Sequence, residues 1–163
     1  MVSYIIFLDI DGVLNTRNHL KRQKIKSGKV TNKDWDPTAC KYISMLCEHY
    51  NARIVITSTW RHEYTVKQLE EFFESNNISP NFVKDVTSSY APQPDEKNYC
   101  RGHEVKYWLQ NNSSKKASYV IIDDEATFLE TQQEHLVKVD KNKGFSTKEA
   151  VTKASNILEK KHH

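Results

Sequence analysis

Apolar residues along the chain follow two rhythms. Short runs occupy residues 4–9, 53–58, 82–86, 119–123 and 136–140. The first, second and fourth are nearly continuous and rich in Ile and Val, which predicts strands covered on both faces. Helical spacing fills the gaps. Asp36 followed by Pro37 is a start signal, and Ala39, Tyr42, Ile43, Leu46, Cys47 and Tyr50 then recur with a 3.6-residue period. Thr65 with Gln68 reads as a capping box ahead of Leu69, Phe72 and Phe73. Residues 102–110 carry Val105, Trp108 and Leu109 on one face. Ser146 with Glu149 reads as a further capping box, opening a last helix with Val151, Ala154, Ile157 and Leu158. Such alternation predicts one α/β domain over residues 1–160. The expected architecture is doubly wound and Rossmann-like: a mostly parallel five-stranded sheet with helices on both faces.

Composition narrows the class. The 163 residues are 37% hydrophobic and 28% charged, as in a globular chain with a core of its own. No apolar run approaches the ~20 residues of a membrane helix. The start, MVSYIIFLDID, reads as a strand rather than a signal peptide, so a cytoplasmic location is expected, with export by a non-classical route as the alternative. The three cysteines, Cys40, Cys47 and Cys100, form no CxxC pair, and an odd number argues against a disulfide framework. Cys40 and Cys47, seven apart on one helix, read as core.

The net charge of +3 is unevenly placed. No acidic residue stands between Gly12 and Lys33, where Arg17, Lys21, Arg22, Lys24, Lys26, Lys29 and Lys33 cluster, and the remainder of the chain is net negative. This basic segment follows directly on a strand that ends in IFLDIDGVLN. Two carboxylates at the end of a buried strand demand a positive partner, because desolvating either costs several kcal/mol.

The polar residues at the other strand ends supply the context. IVITSTWR brings Thr57, Ser58, Thr59 and Arg61; Arg101 precedes a helix that carries Lys106; VIIDDE brings Asp123 and Asp124. Ligands on open parallel sheets bind beyond the carboxyl ends of the strands, so these groups are expected in one crevice. The set is rich in oxygen and lacks the His/Cys spacing of a zinc site. It suits Mg²⁺, and a hydroxyl and a cation beside such an ion suit a phosphoryl group.

The ordered series DxDGV, a strand ending in Ser/Thr, Lys/Arg, then DD resembles the haloacid dehalogenase (HAD) superfamily of aspartate-nucleophile phosphatases. SxWR after the second strand and RGxE before the third helix are similar to the small HAD domains of RNA-repair proteins and related stand-alone phosphatases. The resemblance implies Asp9 as nucleophile and Asp11 as general acid and base. It implies Mg²⁺ held by Asp9, the Asp11 backbone carbonyl, Asp123 and Asp124. Ser58 is the expected phosphate-binding hydroxyl, with Thr57 the alternative. Arg101 is the expected cation, with Lys106 the alternative. Thr59 and Arg61 complete the expected substrate contacts.

Relatives of this kind often carry a cap domain over small substrates. Neither of the two places for its insertion is long enough here, so no substantial cap is expected. An open site favours a macromolecular phosphate: a phosphoprotein, phosphotyrosine included, with a nucleic-acid end or a nucleotide as the alternative. The basic stretch at about 15–35 is expected to form a flap that docks an anionic partner, or else a solvated hairpin. The rival of another class is a non-catalytic phosphate- or protein-binding module on the same fold.

Overall fold

The computed structural model describes residues 3–89, 96–112, 117–125 and 127–160. Met1 and Val2, at the head of the stretch read as having no leader, and the tail after Lys160 lie outside them. The elements run β1 (Ser3–Leu8), α1 (Arg17–Ser27), α2 (Pro37–Tyr50), β2 (Arg53–Ile56), α3 (Val66–Ser75), β3 (Val83–Val86), α4 (Arg101–Asn112), β4 (Ala117–Asp123), β5 (Leu136–Lys138) and α5 (Lys148–Glu159). The strands pair in parallel in the order β3-β2-β1-β4-β5. The chain winds outward from β1 in one direction and then returns to β1's other side with β4. The reversal of strand order therefore falls at β1.

Strand parity divides the interior into two cores. Ile6, Leu8, Ile54, Ile56, Val120 and Ile122 pack on α2, α3 and α5 through Ile43, Leu69, Phe73 and Ile157. Ile5, Phe7, Val55 and Ile121 pack on α4 through Val105 and Trp108. Phe7 meets Trp108 edge to face at 5.6 Å. Burial on both faces is why these strands read as apolar runs and not as alternating patterns.

The helix signals mostly act where the sequence places them. The Asp36 carboxylate accepts from the Thr38 backbone N–H at 2.9 Å, with Pro37 in the first turn of α2. Thr65 and Gln68 form a complete capping box on α3. Cys40 and Cys47 lie in the core, where burial pushes both thiols up to about 12. One start signal is displaced: α5 is capped by Thr147, which accepts from Ala150, while the Ser146 hydroxyl donates to the Lys143 carbonyl. Capping needs an extended residue directly before the helix, and that residue is Thr147.

Residues 17–27 form a helix rather than a hairpin. Thr16 caps its start, and Gly28, at φ +71°, ends it in the left-handed region. None of its residues is buried. It is moored instead by its first turn and by two side chains near its middle. The Arg17 and Asn18 amides donate to the carbonyls of Lys141 and Asn142. The Gln23 amide bonds the backbone of Thr31 and Asp34, and Arg22 pairs with Asp36 at 3.2 Å. Among the described residues, α1 is the one helix or strand between β1 and α2, and α3 and β3, with short 3₁₀ turns, lie between β2 and α4. Among those residues neither place holds a cap domain.

Candidate active site

The sheet register brings the site together before any side chain acts. Leu8 pairs with Ile56 on one side and with Ile122 on the other. One residue further, the Asp9 N–H donates to Ile122 and the Thr57 N–H donates to Leu8. Asp9, Thr57 and Asp123 thus stand level, at the carboxyl ends of three adjacent strands. Each lies two residues beyond a member of the α4-side core, so parity turns them toward the start of α4.

Arg101, the first residue of α4, meets them there. Its Nη1 lies 2.7 Å from Asp123 Oδ2 and 3.5 Å from Asp9 Oδ2. Asp9 is 6% exposed and Asp123 fully buried. Asp9 also accepts from the Ile10 N–H, and Asp123 from the Glu125 N–H, each at 2.9 Å. With Asp124 they make a group of three carboxylates whose oxygens lie within 4.8 Å of one another. Burial, and then the charge of Asp123, push the Asp9 carboxyl far above the usual range, with Arg101 opposing. Burial pushes Asp123 upward too, again against Arg101. One guanidinium does not balance three carboxylates, and an all-oxygen donor set of this kind fits Mg²⁺. The fit rests on the donor set and its charge deficit.

Gly12 explains why a glycine follows the second aspartate. It sits at φ +79°, and a Cβ there would lie 2.4 Å from Asp124 Oδ2. Both the backbone turn and the close approach of Asp124 require that nothing larger stand there.

Asp11 lies outside the three-carboxylate group. It is exposed, and its two oxygens accept from the Asn15 amide and the Trp60 indole N–H, each at 3.0 Å. Sequence reasoning assigned neither partner a function. Asn15 closes the quoted IFLDIDGVLN and was the available signal. Trp60 is part of the core as well: it is 3% exposed and packs on Trp35, Tyr64 and Phe72.

The hydroxyls divide in the same way. Ser58 Oγ accepts from the Trp60 N–H at 3.3 Å and so caps the 3₁₀ turn Thr59–His62. Thr57 Oγ1 is buried and has no hydrogen-bond partner among the described residues. A buried hydroxyl left unpaired beside the carboxylates is free to bind a ligand. Thr59 is exposed at the head of the turn, and Lys106 is exposed further along α4. Arg61 turns inward. It bonds Glu104 at 2.7 Å and the carbonyls of Thr57 and Ser58.

A model of the family described as the HAD domain in Swiss Army Knife RNA repair proteins matches residues 5–150. No curated protein and no solved structure matches the chain. The matched span runs from β1 into α5 and takes in every strand end described above. The chain belongs to this family of small HAD domains, and with the family come its α/β fold and a phosphatase-like function.

Proposed function

We propose that the protein is a Mg²⁺-dependent phosphomonoester hydrolase working through an aspartyl-phosphate. The observation that carries this reading is the buried group of Asp9, Asp123 and Asp124 facing Arg101 at the strand ends. A carboxylate oxygen of Asp9 forms a bond to phosphorus while the ester P–O bond breaks. Asp11 gives the departing oxygen a proton. Asp11 then takes a proton from water, whose oxygen attacks phosphorus, releasing phosphate and regenerating Asp9. The Thr57 hydroxyl and Arg101 hold the phosphoryl oxygens. Mg²⁺, held by Asp9, Asp123, Asp124 and the Asp11 carbonyl, supplies the positive charge that lets one anion approach another. Asn15 and Trp60 fix the direction of the Asp11 carboxylate.

The substrate put first is the terminal phosphate of a nucleic-acid strand. The crevice carries no cap among the described residues, the family's description concerns RNA repair, and α1 lays unburied cations on the stretch that follows Asp11. A phosphoprotein is the second reading. Ile25, 86% exposed on α1, and Val30, 52% exposed, suit a peptide better than a phosphodiester chain. The test compares phosphorylated oligonucleotides, phosphopeptides and nucleotides, with an aryl phosphate as reference, each with Mg²⁺ and with chelator. Preference for oligonucleotide ends supports the reading. Inertness toward every phosphate ester, with Mg²⁺ present, overturns it.

A further inference from the structure

We infer that Arg61 and Glu104 form a buried positioning pair that clamps the Thr57 loop to the Arg101 end of α4, with neither side chain touching substrate. The inference rests on the hydrolase reading above and assigns these two residues a part in it.

The side chains of Arg61 and Glu104 are each only 5% exposed. Their contact, at 2.7 Å, joins two walls of the crevice. On the β2 side, Arg61 donates to the carbonyls of Thr57 and Ser58. On the α4 side, Glu104 lies one turn beyond Arg101. Tyr99, whose hydroxyl donates to the Ser89 carbonyl at 3.4 Å, stands near Glu104; burial first, and then Glu104, push its phenol up to about 12. The start of α4 is wedged from behind as well. The Gln132 amide donates to the Gly102 carbonyl at 2.9 Å, and a Cβ on Gly102 would lie 2.7 Å from the Leu129 nitrogen. The clamp thus spans the loop bearing the free Thr57 hydroxyl and the helix bearing the cation.

The chemistry of the side chain fits this work and not phosphate binding. A planar guanidinium can satisfy two carbonyls and a carboxylate at once, which an ammonium cannot do in fixed directions. Those bonds use both terminal nitrogens. The remaining Nε is buried and has no hydrogen-bond partner among the described residues, so one N–H at most is left to face a ligand, and the KM of Arg61→Met reads whether it does. The value of the clamp lies in placement, since a displacement of about 1 Å at a reacting group can cost ~100-fold in rate.

The test uses the full chain and five variants: Arg61→Lys, Glu104→Gln, Arg61→Met, Glu104→Leu, and Arg61→Met with Glu104→Leu. Steady-state kinetics on an aryl phosphate with Mg²⁺, melting temperature, and hydrogen exchange of the amides of residues 57–62 are read for each. An apolar pair of similar volume replaces a buried ion pair with little loss of stability. The double variant should therefore melt near wild type, above either single apolar variant, while kcat falls about 10- to 100-fold with KM nearly unchanged. The losses of the two single apolar variants should not multiply in the double. Glu104→Gln, which keeps an acceptor, should retain most of kcat, and Arg61→Lys should not.

Wild-type kcat in the double variant overturns the inference, because the pair would then be packing alone. So does a rise in KM with Arg61→Met that Glu104→Leu does not share, because Arg61 would then touch phosphate. If wild type itself turns over no phosphate ester, the hydrolase reading fails, and hydrogen exchange decides the clamp. Exchange at residues 57–62 about tenfold faster in the double variant supports it, and unchanged exchange overturns it.

Discussion

Two charged regions, the crevice that Asp9 opens and the helix α1 that follows it in the chain, differ in almost every physical respect. In the crevice, Asp9 and Asp123 are withdrawn from water and held by backbone amides and Arg101. On α1, Lys21, Lys24 and Lys26 are exposed, and the helix buries none of its residues. Buried charge is costly and must be balanced in place, so each partner of Asp9 reports on the chemistry there. Exposed charge is screened within about 10 Å at 0.1 M salt and acts on an approaching partner before any bond changes. The first region should set the rate of the chemical step. The second should set only the encounter.

Replacing Asp9 by Asn should have the largest effect. It removes the proposed nucleophile, and kcat should fall by a factor on the order of 10³ or more. The fold should persist, because a neutral amide replaces a carboxylate whose burial already disfavours its charge. Retention of a tenth of wild-type kcat, with deamidation to Asp excluded by mass, contradicts the assignment.

Thr57→Val comes next. It deletes a hydroxyl that has no partner among the described residues and keeps the shape. Losing one hydrogen bond to a charged phosphoryl group corresponds to roughly 10- to 100-fold in kcat, with the melting temperature nearly unchanged. Ser58→Ala should behave in the opposite way, losing about 1 kcal/mol of stability through its cap and little activity. The reverse ranking would return the phosphate-binding role to Ser58.

These assignments show what the sequence could and could not disclose. The order of motifs, the parallel sheet and the meeting of Asp9, Asp123, Asp124 and Arg101 follow from apolar runs ending in charge, which is a local signal. The choice between Thr57 and Ser58 depends on strand parity, and a one-residue change of parity reverses a side chain's face. Where β2 stops pairing was not legible. Trp60 was hidden because an indole can fill a core with its ring and serve Asp11 with its N–H. The ion pair of Arg61, read as a substrate contact, was hidden because its partner, Glu104, lies 43 residues away. The basic stretch at 17–33 read as a flap or hairpin, since helix α1 lacks an apolar stripe and stands on its caps and moorings.

The pH dependence sharpens the contrast at moderate size. Asp9 and Asp123 are raised above the 3.8 they have unfolded. The folded state then binds protons more tightly than the unfolded one, so the pair's contribution to metal-free stability should be fully present below about pH 4. It should fall as pH rises through the raised values toward about 8. Mg²⁺ should reverse this, raising the melting temperature more at pH 8 than at pH 5, because the cation competes with those protons. Calorimetry at the two pH values decides it, and an equal Mg²⁺ effect at both would count against the carboxylate group as the metal site.

The smallest effect belongs to α1. Lys21, Lys24 and Lys26 changed together to Ser should raise KM for a phosphorylated oligonucleotide several-fold at low salt, leaving kcat for an aryl phosphate unchanged. Arg22 is left in place because its bond to Asp36 holds the helix. The difference should fade toward 1 M salt, where the screening length is about 3 Å. Steady-state kinetics across a salt series measure it, and a KM that never departs from wild type makes α1 a solvated surface.

The most direct test of the account is to catch the covalent intermediate. Enzyme mixed with excess aryl phosphate and Mg²⁺ is quenched in acid within the first turnovers, digested, and its peptides mapped by mass spectrometry. The account predicts a hydroxylamine-labile phosphoryl group on the peptide bearing Asp9, absent with chelator and absent in Asp9→Asn. Turnover with the phosphoryl group on another residue, such as Cys100 or His103, would contradict it.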